Sequence, residues 1–126
     1  MLRCALLAAI LVTASLPAAA QVQRNFPQNA LRGELAFAQP PEALLNGQPA
    51  RLAPGSRIRG ENNMLVMSGS LVGSKATVHY TVDELGLVKD VWILRPEELA
   101  RKPWPTTLKD AQAWRFDPTT QAWTKP

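Results

Sequence analysis

The sequence predicts a mainly β fold: a small barrel of five or six strands with a short helix and an aromatic-rich C-terminal tail. Eleven prolines in 126 residues disfavour long helices, because proline lacks an amide donor and clashes with the preceding helical turn. Several short segments alternate apolar and polar residues with the period of two that half-buried strands require. Glycine and proline pairs separate these segments at turn-forming positions. Together these observations favour short strands joined by defined turns.

The first 20 residues have the composition of a secretory signal peptide. Arg3 supplies a positive charge, residues 4–16 are apolar, and residues 18–20 are three alanines of the kind that signal peptidase recognises. The apolar run spans about 16 residues, whereas a membrane-spanning helix needs roughly 20. We therefore expect export to the periplasm, cleavage after Ala20 and no stable membrane span after cleavage. An uncleaved N-terminal anchor is the alternative.

Cysteine content and charge restrict the possible functions. Cys4 is the only cysteine, so a cleaved chain has no disulfide, no thiolate metal site and no cysteine nucleophile. The chain has one histidine, which is too few for a structural zinc site, and a net charge of only +4. We therefore expect no cofactor, no metal and no nucleic-acid partner. Residues 21–30 are predicted to be a flexible lead-in, and residues 31–126 a single barrel domain with a tail at 95–126.

The first predicted strand covers residues 31–38 and ends before Pro40-Pro41, which cannot donate to a ladder. Asn46-Gly47 then favours a two-residue type I′ turn, because both residues tolerate positive φ. Two facing pairs follow from this hairpin: Leu45 with Gln48, and Glu42 with Arg51. We expect the second pair to be a cross-strand ion pair.

Residues 53–74 are predicted to contain two short strands and their connections. Pro54-Gly55 has the central residues of a type II turn. Residues 57–59 alternate as a half-buried strand should, and residues 64–67 are expected to form a short apolar strand. Residues 68–74 are rich in glycine and serine and are expected to form a loop.

The longest predicted hairpin covers residues 75–94, with a type I turn and a glycine bulge at residues 83–86. The expected register gives three core pairs: Val82 with Val88, Val78 with Trp92, and Ala76 with Leu94. The opposite face would pair His79 with Val91. We therefore expect His79 to be a partly exposed strand residue.

The tail is predicted to contain two short helical segments and an aromatic cluster. Pro96 suits the first position of a helical turn at residues 95–100, and Thr107 suits the cap of a helix at residues 108–114. Three tryptophans are expected to clamp the tail onto the barrel: Trp104, Trp114 and Trp123. The alternative is an aromatic surface on which a ligand stacks.

Two groups of side chains are candidates for function. Four basic residues are candidates for contact with an anionic partner: Arg51, Arg57, Arg59 and Lys75. The alternative for this group is a solvated outer face with charges that protect a sheet edge. A second hypothesis is a hydrolase accessory domain in which His79 works with Asp83 or Asp90, as acid–base chemistry requires.

The chain also resembles known groups of proteins. The segments LNGQPARLAPGSRIRG and HYTVDELGLVKDVWIL are similar to segments of small, uncharacterised proteobacterial proteins that carry signal peptides, and their pattern is similar to OB-like barrels. This resemblance implies no site residues. VHYTVDELGLVKDVWIL followed by AWRF resembles the C-terminal domain of TonB-type energy transducers, which implies an interaction domain with a helix packed on a three-stranded sheet.

These observations favour an exported, non-catalytic binding or structural module rather than an enzyme. The basis is that no group of titratable residues converges in the sequence pattern. The expected partner is an envelope protein or an anionic envelope component. The TonB-like interaction domain and the accessory domain that uses His79 are the alternatives.

Overall fold

The computed structural model describes residues 23–126, so the predicted signal peptide at residues 1–20 lies outside the described residues. Five strands form one closed barrel: β1 (Leu31–Phe37), β2 (Glu42–Leu45), β3 (Gln48–Arg59), β4 (Lys75–Val82) and β5 (Val88–Ile93). The tail contains two helices and a two-stranded sheet: α1 (Pro96–Leu99), α2 (Leu108–Ala113), β6 (Arg115–Asp117) and β7 (Ala122–Thr124). The prediction of a mainly β barrel is confirmed.

The barrel closes because β1 pairs with two strands. The strand order is β1-β2-β3-β5-β4, and β1 is antiparallel to both β2 and β4. β3 and β5 are parallel, and the other pairs are antiparallel. Closure satisfies the backbone groups that an open sheet leaves at its edges. A closed barrel of five strands differs from the three-stranded sheet with a packed helix that the TonB-like resemblance implies. The two helices are also short, since α1 has four residues and α2 has six.

The β2–β3 hairpin has the predicted turn and register. Asn46 and Gly47 have φ values of 52° and 79°, as a type I′ turn requires. Leu45 pairs with Gln48. Glu42 pairs with Arg51, and the two side chains form an ion pair of 3.3 Å.

The predicted turn at Pro54-Gly55 is wrong. β3 continues through these residues, and its pairing with β5 shifts register between Leu52 and Arg57. Gly55 has a φ of 75°, so the positive φ expected of a turn is used inside a strand irregularity instead. The predicted strand at residues 64–67 is also wrong, because only an isolated bridge joins Leu65 to Arg59.

The β4–β5 hairpin keeps the predicted start but not the predicted register. Val82 faces Val88, and the register then shifts between Tyr80 and Val82. Two expected pairs are therefore wrong by one residue, because Val78 faces Ile93 and His79 faces Trp92. Tyr80 faces Val91. The alternation of apolar and polar residues does not show where a bulge lies between β4 and β5. The pairs beyond the bulge were therefore predicted with the wrong partners.

The expected flexible lead-in is packed where the structure describes it. Phe26 and Ala30 belong to the core, and Arg24 is also buried. Phe26 contacts the rings of His79, Trp92 and Trp104 edge-on. One aromatic residue in a polar segment gives no periodic signal, although burying it removes a large apolar area from water.

The tail packs onto the barrel through its aromatic residues, as predicted. Pro96 begins α1, and Asp110 N donates to Thr107 Oγ1 over 3.1 Å at the start of α2. Trp104 and Trp123 are buried, and Trp114 is partly buried against the same cluster. Among residues 23–126, no helix is long and apolar enough to cross a membrane.

Candidate functional site

A cleft of about 510 Å³ opens beside the irregular part of β3, and we refer to it as the proline cleft. Three segments form its walls: Pro40-Pro41 in the β1–β2 connection, residues 51–56 in β3, and residues 66–68 in the β3–β4 connection. Ile58 in β3 and Leu87, which follows the β4–β5 turn, complete the lining among the described residues. The strand irregularity at Pro54-Gly55 thus shapes one wall of a concave, largely apolar surface.

The β3–β4 connection presents apolar side chains to solvent beside this cleft. Met64, Leu65 and Met67 are 65%, 67% and 79% exposed, and Met67 lines the proline cleft. Clustered exposed apolar side chains are unusual on a monomer surface and mark interaction sites. Methionine adapts its shape to different partners because its side chain is flexible and polarizable. The sequence showed the apolar run but led to the expectation of a strand.

Two of the four candidate basic residues are paired with carboxylates. Arg51 pairs with Glu42 over 3.3 Å, and Lys75 pairs with Glu34 over 3.2 Å. Both pairs are largely exposed, so each contributes little to stability. Arg51 lies on β3 with Arg57 and Arg59, whereas Lys75 lies on β4, which β5 separates from β3. Contact of these residues with an anionic partner stays a prediction.

Arg57 and Arg59 remain together on the outer face of β3. Arg57 is exposed and faces Asp90 in the parallel ladder, and Arg59 is partly buried and faces Trp92. Their side chains form no ion pair within the described part of the chain. A carboxylate at the neighbouring register position reduces the net positive charge of this face.

His79 is fully buried, which corrects the expectation of partial exposure. Its ring stacks on Trp104 with centroids 4.0 Å apart, and its Nε2 accepts a hydrogen bond of 3.2 Å from Arg32 Nε. Burial, followed by the charges of Arg32, Arg24 and Arg101, lowers the pKa of His79 to about 2. The imidazole is therefore a neutral acceptor at ordinary pH.

The two acids considered as partners of His79 have other contacts. Asp83 accepts from the amides of Leu85 and Leu87, both at 2.9 Å, and so holds its own turn. Asp90 contacts Thr81, whose hydroxyl lies 3.4 Å from Asp90 Oδ2. His79 is instead hydrogen-bonded to a cation, which is opposite to the arrangement that makes histidine a general base.

The three tail tryptophans do not form an exposed aromatic surface. Trp104 donates from Nε1 to Ala30 O over 3.0 Å, inside the protein. Trp123 lies edge-on to Trp104 at 6.0 Å, and Trp114 lies edge-on to Trp123 at 6.5 Å. The clamp interpretation accounts for these contacts, whereas a stacking platform needs a free ring face.

A buried ion pair joins the N-terminal segment to α1, and no sequence pattern predicted it. Glu98 is 1% exposed and accepts from Arg24 Nε and from the Arg95 amide, both over 2.9 Å. Burial alone raises the pKa of Glu98, but the hydrogen bonds and charges of Arg24 and Arg95 outweigh burial and leave that pKa lowered. Arg24 also donates to Gly60 O and Ile93 O.

Within residues 23–126, no group of three or more histidine, cysteine, aspartate or glutamate side chains is arranged to hold a metal ion. No protein-family model, curated protein or solved structure matches the chain. The functional assignment therefore depends on the geometry of the proline cleft and of the charged groups.

Proposed function

We propose that the protein is an exported, non-catalytic binding module of the bacterial periplasm. Its partner is an envelope protein that inserts an extended apolar segment into the proline cleft. The observation that carries this proposal is the group of exposed side chains at Met64, Leu65 and Met67 beside a concave apolar wall. The leader-like residues 1–20 support the location.

The strand order supports an OB-like interpretation of the barrel. In OB folds, ligands bind over strands 2 and 3 between the connections that follow strands 1 and 4. The proline cleft has a corresponding position, since Pro40-Pro41 follow β1, residues 51–56 belong to β3, and Leu87 follows β4. The nature of the lining differs from that of an oligonucleotide site, because prolines and aliphatic residues replace the basic and aromatic residues that stack and neutralise nucleic acid.

A protein segment fits this lining better than an anion does. Within residues 23–126, Arg51 is the only charged residue that lines the cleft, and it is paired with Glu42. Pro40, Pro41 and Pro54 present rigid apolar surfaces, which lose little conformational entropy when a partner binds. The exposed methionines extend the apolar surface beyond the cleft, as expected for a partner longer than the cleft itself.

Site-specific photo-crosslinking in a Gram-negative host that expresses the full chain tests the proposal. A photoreactive residue at Met67 should give one defined adduct with an envelope protein. The same residue at Leu108, an exposed apolar position on α2, is the matched control and should not give that adduct. Mass spectrometry of the linked peptide should identify an apolar segment of the partner.

A second variant tests whether the exposed apolar side chains are needed for the adduct. Met64→Ser with Leu65→Ser should reduce the adduct from position 67 by about 5-fold or more, because losing an interface anchor costs over 1 kcal/mol. Both side chains are exposed, so the far-ultraviolet circular dichroism spectrum should not change. Equal adducts from positions 67 and 108, or an adduct at 67 that the double variant leaves unchanged, would contradict the proposal.

A further inference from the structure

Arg51 gives the proline cleft its charge. Among residues 23–126 it is the single charged residue in the lining, and its side chain is 61% exposed, so a bound segment can reach it. Arg57 and Arg59 lie on the same strand, but neither lines the cleft. The charge of the described lining is therefore positive and is concentrated at one accessible side chain.

Arg51 lies where two walls of the cleft join. It is the last residue of β3 that pairs with β2, and it faces Glu42. The next residue, Leu52, donates its amide to Pro41 O over 2.8 Å and so ties β3 to the Pro40-Pro41 wall. A segment that runs along the irregular part of β3 therefore has one end beside Arg51.

The ion pair with Glu42 leaves Arg51 able to bind another carboxylate. The nearest contact joins Arg51 Nε to Glu42 Oε1 over 3.3 Å, and both side chains are more than half exposed. Exposed pairs of this kind contribute little free energy, because water screens both charges. The terminal guanidinium nitrogens donate no hydrogen bond within residues 23–126. Such nitrogens can bind both oxygens of a carboxylate in parallel.

The chemistry of the bound segment follows from the cost of covering this charge. A purely apolar segment over Arg51 would remove water from the guanidinium without replacing the lost hydrogen bonds. A basic residue at the same place would add repulsion between like charges. A carboxylate would supply acceptors for the guanidinium and balance its charge. The lining therefore favours an apolar segment that is acidic at one point.

We propose that the partner segment in the proline cleft carries a carboxylate beside its apolar residues, and that Arg51 binds this carboxylate in exchange for Glu42. The inference rests on the function proposed for the cleft, and it adds the charge that the partner must have. The carboxylate belongs to an aspartate or glutamate side chain or to the C-terminus of the partner. Arg51 thereby selects among apolar segments of similar shape.

Photo-crosslinking from position 67, in the full chain expressed in a Gram-negative host, tests the role of Arg51. Arg51→Glu should reduce the adduct by about 10-fold or more, because the carboxylate of the partner then meets a like charge. Glu42→Gln should increase the adduct by about 2- to 5-fold, because the competing carboxylate is gone. Both side chains are exposed, so the far-ultraviolet circular dichroism spectrum should not change.

The opposite directions of these two effects separate binding from a structural role. Each variant breaks the same ion pair, so a pair that only stabilised the β2–β3 hairpin would lower the adduct in both. A decrease in both variants, or no change in Arg51→Glu, would therefore overturn the proposal.

Lys75 and Glu34 provide the matched control. They form an exposed ion pair of 3.2 Å between β4 and β1, and neither residue lines the cleft. Lys75→Glu and Glu34→Gln should each leave the adduct within about twofold. A loss in Lys75→Glu as large as that in Arg51→Glu would mean that the net charge of the protein controls binding, which contradicts the proposal.

Mass spectrometry of the linked peptide identifies the source of the carboxylate. An aspartate or glutamate within about three residues of the apolar segment supports a side chain, since three extended residues span about 10 Å. Linkage at the last residues of the partner supports its C-terminus. A linked segment with neither overturns the role of Arg51 but leaves the cleft as a binding site. Absence of any adduct from position 67 contradicts the cleft proposal and this one together.

Discussion

Arg32 and His79 face each other across the β1–β4 ladder, and Arg32 Nε donates to His79 Nε2 over 3.2 Å. The hydrogen bond requires a neutral imidazole, because a protonated ring has no acceptor. Burial and the surrounding arginines provide this condition by lowering the pKa of His79 to about 2. The pair fixes β1 to β4 at the point where the barrel closes.

This relationship predicts loss of stability in mild acid. His79 is neutral in the folded chain down to a pH near 2, but it is protonated below about pH 6.5 in the unfolded chain. The contribution of neutral His79 to the free energy of unfolding is therefore complete above pH 6.5. It decreases as the pH falls below 6.5. Between pH 7.5 and pH 5.5, the free energy of unfolding should decrease by about 1.4 kcal/mol, measured by urea denaturation.

The variant His79→Gln is the control for this pH dependence, because the chain has one histidine. Glutamine keeps an acceptor for Arg32 but does not titrate. Its free energy of unfolding should be nearly the same at pH 7.5 and pH 5.5. An equal decrease in both proteins would show that another group is responsible.

The ion pair between Arg24 and Glu98 predicts a large difference between neighbouring glutamates. Glu98→Gln should lower the free energy of unfolding by about 3–5 kcal/mol, because Arg24 is then buried without its counter-charge. Glu97→Gln changes an exposed residue of the same helix and should have an effect within about 0.5 kcal/mol. Urea denaturation at pH 7.5 measures both. Similar small effects would mean that the pair is not buried.

Phe26 tests whether residues 23–30 belong to the folded domain. Phe26→Ala should cost about 3–5 kcal/mol, because it leaves a cavity against His79, Trp92 and Trp104. Asn25→Ala changes the exposed neighbour and should cost less than about 0.5 kcal/mol. A cost below about 1 kcal/mol for Phe26→Ala would instead favour the flexible lead-in that the sequence predicts.

Export is tested by the location and the N-terminus of the expressed protein. Osmotic release from a Gram-negative host should yield a protein whose mass and N-terminal sequence begin at Gln21. Replacing Ala18 and Ala20 with bulky residues should leave an uncleaved, membrane-associated precursor. Recovery of the intact chain from the cytosol would contradict export.

Features that depend on adjacent residues could be predicted from the sequence. Asn46-Gly47 determines a turn of two residues, and that turn determines which residues of β2 and β3 face each other. Pro96 and Thr107 mark helix starts for similarly local reasons. The number and spacing of such segments predicted a small barrel of five or six strands, but its closure is known only from the pairing of β1 with β4.

Features that depend on distant residues could not be predicted. The extra residue that β5 inserts between Val88 and Val91 changes the facing partner of His79 without changing the alternation of β4. Arg24 and Glu98 are separated by 74 positions, so neither residue indicates the other. The proline cleft combines segments from four parts of the chain. No local pattern brings such segments together.

The two ends of the described chain are fastened to each other, because Phe26 N donates to Gln121 Oε1 over 2.8 Å. The N-terminal segment therefore cannot complete its native packing until residues near Gln121 have left the ribosome. During synthesis, Phe26 stays accessible and the nascent chain lacks its final closure. Such late closure would keep the chain unfolded until synthesis is complete, and the proposed export across a membrane requires an unfolded chain.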